Sequence, residues 1–212
     1  MILVGQFDSP VTRRIGVVLN LYALPFSRNT QSVFRDAADI AKISPLTRIP
    51  ALILDTGEVL IESAAICDYL DELVGPARAL VPQNGPERRR ILQDTALIQG
   101  TMEKIGVVVY ERHYHPPAHR SAEWEGRCLA QISAGLAECE RRCANPWFSG
   151  QTLSHADVML TCTMGYIALR LPEVSLPHQH PNLVTLATRC ESLPAFRAAA
   201  IGANETMPAV PK

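Results

Sequence analysis

Three short stretches carry residue types able to do chemistry, each at a junction between elements. In the first, Asp8-Ser9-Pro10 separates an apolar N-terminal run from a segment in which Val11, Ile15, Val18, Leu19 and Tyr22 recur at helical spacing. Serine is a favoured N-cap and proline is favoured at the first helical position, so the pair accounts for a helix start on its own. The same geometry exposes a hydroxyl and unpaired N–H groups at the positive end of a helix, where a thiolate is stabilised. Both readings hold together.

The second stretch is Ile49-Pro50, immediately ahead of a strand-like run. Proline has no N–H to give a ladder, so it starts the strand or makes a special turn. An X-Pro bond adopts cis at small cost. An Ile49 held extended by a cis Pro50 keeps its N–H and C=O free for a peptide-like ligand, as an added strand would use them. The third is Glu62-Ser63, which opens a helix directly after a strand. Ser63 can cap that helix and Glu62 can favour its positive end. Equally, Ser63 and the nearby N–H groups can hold a carboxylate while Glu62 takes an ammonium, so an α-amino-acid end satisfies both.

The elements that position these residues follow from hydrophobic periodicity. A strand in MILVGQF, a helix from Pro10, a weak strand around TQSVF (30–34), a short helix near DAADIAKI (36–43), strands in PALIL and EVLI joined by Asp55-Thr56-Gly57, and a helix from Glu62-Ser63 to about Gly75 give the order β-α-β-α-β-β-α. The segment GPARALVPQNGPE is rich in proline and glycine and reads as a linker. Beyond it helical patterns dominate, broken at HPPAH, NPWFSGQ, PEVSLPHQHP and LPAF. The expected organisation is a small α/β domain at 1–76, a linker at 77–86 and an all-helical domain at 87–212. In the second domain, Ser154 and Asp157 have the spacing of a capping box, with Leu153 and Val158 placed as a hydrophobic staple, and Asp157 is read as a capping residue.

Composition narrows the function classes. The 212 residues are 47% hydrophobic and carry a formal net charge of -1 with mixed signs, so nothing favours nucleic acid or an anionic membrane surface as a partner. Arg88, Arg89 and Arg90 are a short basic run without interleaved aromatics and read as a solvated face. The N-terminus has no signal-peptide pattern and no apolar run reaches membrane-span length. The six cysteines form no CxxC pair or regular framework, which fits a reducing compartment and a cytoplasmic protein. His113 and His115, like His178 and His180, form His-x-His pairs without a third ligand at metal spacing, so no metal site is expected.

Taken together, the strand-Ser-Pro-helix start, the Arg48-to-Leu52 element Arg-Ile-Pro-Ala-Leu, the Glu62-Ser63 pair with AAICDYL behind it, the proline-bearing linker and the Ser154-x-x-Asp157 box resemble the glutathione transferase superfamily over essentially the whole chain. The resemblance implies a thioredoxin-like, glutathione-binding N-terminal domain and an all-α C-terminal domain supplying much of an electrophile pocket. In it, Ser9 matches the hydroxyl that donates to the glutathione sulfur, and Ile49 the residue before the cis proline that pairs with the cysteinyl backbone. Glu62 and Ser63 match the pair holding the γ-glutamyl end, and Arg48 a position that reaches the glycine carboxylate. Met102, Val109, Tyr110 and His113 lie on the helix that lines the electrophile site, although a Met or aromatic stripe is more often core. Ser9 and Thr12 stand where a Cys-x-x-Cys pair would sit, which disfavours redox chemistry by a protein cysteine and leaves Thr12 as a second candidate donor. The resemblance further implies a homodimer, glutathione as cosubstrate and no permanently bound cofactor. Within it, conjugation to a small hydrophobic electrophile stands first. A glutathione-dependent isomerase, dehalogenase or peroxidase, or a non-enzymatic protein-binding member, are the alternatives.

Overall fold

The N-terminal apolar run becomes strand β1 (Ile2–Val4), which pairs parallel with β2 (Ser27–Asn29) and antiparallel with β3 (Ala51–Ile53). Strand β4 (Val59–Ile61) completes the hairpin with β3 in a four-stranded sheet of order β2-β1-β3-β4. This is a computed structural model, and it describes residues 1–174 and 178–206. Part of the helix break expected at PEVSLPHQHP lies outside the described residues.

Helices α1 (Pro10–Leu21) and α2 (Ala37–Ile43) run between the strands and α3 (Ser63–Val74) follows β4, the arrangement expected from periodicity. The weak strand expected at 30–34 is instead a turn, and β2 lies earlier in the chain. The reason is local: Ser32 N–H donates to Asp36 Oδ2 at 2.8 Å and Phe34 N–H to Ser32 Oγ at 3.2 Å, so side chains have taken up the backbone donors a ladder needs. Helix α1 is buried along Ile15, Val18 and Leu19, each fully inaccessible, and packs on β1 and α3. The loop from β1 to α1 fits beneath it only because position 16 lacks a side chain, since a Cβ at Gly16 would lie 2.5 Å from the Phe7 ring. The far end of α1 is pinned through Tyr22, whose hydroxyl donates to Asp71 and accepts the Leu80 N–H at 2.8 Å.

The described residues form two compact units, one of residues 1–82 together with 191–206 and the other of residues 83–174 and 178–190. Return of the C-terminal segment to the first unit has no counterpart in the local patterns, because its contacts are with residues far back in sequence. The short α8 (Pro194–Arg197) packs on α1, Arg13 pairs through both terminal nitrogens with Glu191 at 2.6 and 2.8 Å, and Arg13 Nε donates to Ala199 O at 2.9 Å.

The second unit is helical: α4 (Gly85–Tyr114) packs on α5 (Ala122–Arg142) and α6 (His155–Arg170), followed by α7 (Pro181–Glu191). Helix α4 starts at Gly85 with a proline in its first turn. The Ser154–Asp157 capping box is present, with Ser154 N–H donating to Asp157 Oδ2 at 2.7 Å. The carboxylate does more than the motif requires, because Asp157 Oδ1 also accepts the buried Phe148 N–H at 2.7 Å. Asp157→Ala therefore removes a cap and orphans a second buried donor. The expected loss is about 2 to 3 kcal/mol in urea unfolding of the purified protein. No helix among the described residues is long and apolar enough to cross a membrane.

Candidate functional site

Ser9 is the N-cap of α1, half-buried, with its Oγ accepting the Thr12 N–H at 3.4 Å. Capping uses a lone pair and leaves the hydroxyl proton to donate outward. The loop behind it is tightly seated. Ser9 N–H donates to Gln6 O at 3.2 Å, and Gly5 holds φ at 124°, a region that disfavours side chains. A Cβ at Gly5 would lie 2.9 Å from both Ile49 Cβ and Thr12 Oγ1, so the Ser9 loop, Thr12 and Ile49 converge at one point. Thr12 itself is fully buried, and its hydroxyl is enclosed without a hydrogen-bond partner among the described residues.

The Ile49-Pro50 bond is cis, and the Ile49 N–H and C=O enter no hydrogen bond among the described residues. Beside it, Arg48 and Glu62 pair with each other at 3.3 Å, with side chains 63% and 47% exposed. An ion pair this exposed contributes between nothing and about 1 kcal/mol, so it exchanges readily for a zwitterionic ligand.

Glu62, rather than Ser63, occupies the N-cap position of α3, at a φ of 67° and with no side-chain cap bond. Left-handed backbone at a non-glycine residue is costly and concentrates at ligand-binding sites. Ser63 is the first residue of α3 and is buried, and its Oγ accepts from Arg14 Nη1 at 3.4 Å. Arg14 is the residue the motifs did not single out. It is 3% exposed, its Nε has no partner, and no carboxylate pairs with it among the described residues. Its neighbour Arg13, as buried, is fully matched by Glu191 and Ala199. The missed signal was positional: Arg14 is three residues past Val11 and four before Val18, on the apolar stripe of α1, where a cation needs a partner. An uncapped helix N-terminus, a buried guanidinium and a serine hydroxyl thus converge, a strongly anion-attracting arrangement.

On α4, Met102 and Val109 are buried within the helical unit, whereas Tyr110 is 46% exposed. Tyr110 and His113 meet edge-on around Tyr114, at centroid distances of 6.0 and 5.0 Å. The expected quartet is therefore split between a buried pair and an accessible aromatic pair.

Burial pushes Cys139 and Cys143 up to about 12, and Cys67, Cys128, Cys162 and Cys190 are buried. Among the described residues no group of three or more metal-ligating side chains is assembled.

Residues 8–73 match the glutathione S-transferase N-terminal domain family and residues 110–186 the glutathione S-transferase C-terminal domain family. The chain is 26% identical to an uncharacterized GST-like protein, YibF, of Escherichia coli K12, over 92% of this chain and 96% of the relative. It is 29% identical to a maleylacetoacetate isomerase of Pseudomonas aeruginosa PAO1, over 94% of this chain and 95% of the relative. Among solved structures, a glutathione S-transferase of Methylobacterium radiotolerans in complex with glutathione sulfonate superposes with a TM-score of 0.89 at 28% identity, covering 99% of this chain and 98% of its own. The sheet and helices of the first unit have the thioredoxin-like arrangement, followed by the helical C-terminal region of this fold.

Proposed function

Since this chain belongs to the glutathione S-transferase superfamily, we propose that it binds reduced glutathione on its first unit and that Ser9 stabilises the thiolate for attack on a small hydrophobic electrophile. Arg14 carries the reading. A buried cation with no acid paired to it among the described residues, donating to Ser63 beneath an uncapped helix, is matched by the α-carboxylate of a γ-glutamyl group. Glu62 takes the adjacent ammonium, the free Ile49 backbone pairs with the cysteinyl residue, and Arg48 meets the glycine carboxylate. The cysteinyl sulfur then falls to the hydroxyl of Ser9, at the positive end of α1. Ser9 is favoured over Thr12 because the Thr12 hydroxyl is sealed.

A free thiol is mostly protonated at neutral pH, and a preorganised hydroxyl donor shifts that balance towards the reactive anion. The enzyme thus activates a substrate thiol and needs no nucleophile or resident cofactor of its own. The accessible Tyr110 and His113 are the proposed electrophile contacts, and the buried Met102 and Val109 complete the proposed set. Cytoplasmic residence, in keeping with six cysteines that form no CxxC pair or regular framework, and a homodimer complete the proposal. Isomerisation of an activated alkene is the second reading, favoured by the similarity to a maleylacetoacetate isomerase. A substrate panel separates the two, because an isomerase leaves total glutathione unchanged.

The test is calorimetric titration with reduced glutathione of the wild type and of Ser63→Ala. Saturable binding, weakened about tenfold by the substitution, is expected. Absence of binding to the wild type would overturn the proposal in favour of a protein-binding scaffold.

A further inference from the structure

The C-terminal segment does more than cover the first unit. At its end, Glu205 reaches into the loop that presents Ser9: its Oε2 accepts the Phe7 N–H at 2.6 Å, and its two oxygens take both terminal nitrogens of Arg28 at 2.7 Å each. Arg28 closes the circuit. Its Nη2 also donates to Gly5 O at 3.2 Å, and its guanidinium carbon lies 3.4 Å above the Phe7 ring centroid. Gln6 and Arg35 donate to Asn204 O at 3.4 and 3.3 Å. The Glu205 carboxylate is buried, and a Cβ at Gly202 would lie 2.9 Å from its Oε1, so the 202–205 turn is shaped around it. Arg28 and the Phe7 N–H together hold the carboxylate below its ordinary range, against the desolvation that raises it.

We propose that Glu205 is a positioning residue, a clasp from the C-terminal segment that fixes the 5–9 loop and thereby the direction of the Ser9 hydroxyl. The inference rests on the role assigned to Ser9. The loop has two walls: Gly16 of α1 receives one side of Phe7, and the Arg28–Glu205 pair holds the other. Phe7 is 2% exposed, so water cannot take over from a missing Glu205, and the orphaned N–H would be relieved only by moving the loop. A shift of a fraction of an ångström at the donor is enough to weaken a thiolate contact.

The experiment uses full-length wild type, Glu205→Ala and Glu205→Gln. Amide hydrogen exchange is read at 5–9 without glutathione, and kcat and KM well below the unfolding midpoint. For Glu205→Ala, faster local exchange is expected, with kcat about tenfold lower, KM for glutathione within about twofold and the bound thiol titrating at higher pH. Glu205→Gln keeps an acceptor for Phe7 but not the Arg28 pairing, so smaller changes in the same direction are expected; this variant carries the test if alanine prevents folding. A lower midpoint with unchanged kcat and unchanged exchange at 5–9 would overturn the proposal. Failure of the wild type to bind glutathione would instead overturn the reading of the site, and the exchange measurement, made without ligand, keeps the two results apart.

Discussion

Ser9→Ala is expected to lower kcat about 10²-fold while leaving the affinity for glutathione within about threefold, the signature of a donor that acts on the developing thiolate and not on the rest of the peptide. The loss depends on pH with a definite sign. Without the hydroxyl the bound thiol titrates nearer its free value of about 8.5, so the deficit is largest at neutral pH and shrinks as pH rises past that value. Alanine also removes the cap of α1, at a cost of about 1 kcal/mol, so a stability effect must be separated from a chemical one. Ser9→Asp does this. Aspartate caps at least as well and suits the helix dipole, yet as a carboxylate it accepts hydrogen bonds and repels a thiolate. It should unfold near the wild-type midpoint and turn over no faster than alanine.

The second large effect concerns Arg14. Arg14→Met should weaken glutathione binding on the order of 10²-fold while leaving the unliganded protein as stable as the wild type or more so, because it removes a buried charge that no carboxylate among the described residues compensates. Arg13→Met gives the opposite result: lost stability through Glu191 and Ala199, and little change in affinity for folded protein. Calorimetric titration beside thermal unfolding of both variants reads the contrast. If Arg14→Met were destabilised and bound glutathione normally, its guanidinium would be part of the packing alone.

Much of the local geometry of the candidate site was legible in the sequence because its parts sit at local junctions with local rules. Ser9 ahead of Pro10, Pro50 at the start of β3 and the Asp157 box each follow from what one residue does to its own backbone. Strand β2 escapes hydrophobic periodicity because Ser27–Asn29 has no apolar character; it pairs because β1 offers an open parallel edge, which no local window contains. Ser63 has the residue type of a cap but is the first helical residue, buried against Arg14 across a sequence separation of 49. The Glu205 contact with Phe7 spans 198 residues. Thr12 and Ser9 were indistinguishable as hydroxyls three residues apart, and only packing at Gly5 and Ile49 separates a sealed one from a presented one.

The central claim is that this protein ionises the thiol of bound glutathione through Ser9. The direct measurement is an ultraviolet difference titration of the thiolate band, with glutathione saturating wild type, Ser9→Ala and Ser9→Asp. The wild-type complex is expected to show the thiolate at pH values one to two units, as an order of magnitude, below those for free glutathione, and both variants are expected to lose most of that shift. A wild-type complex whose thiol titrates like free glutathione, or a Ser9→Ala complex that keeps the wild-type titration, would contradict it.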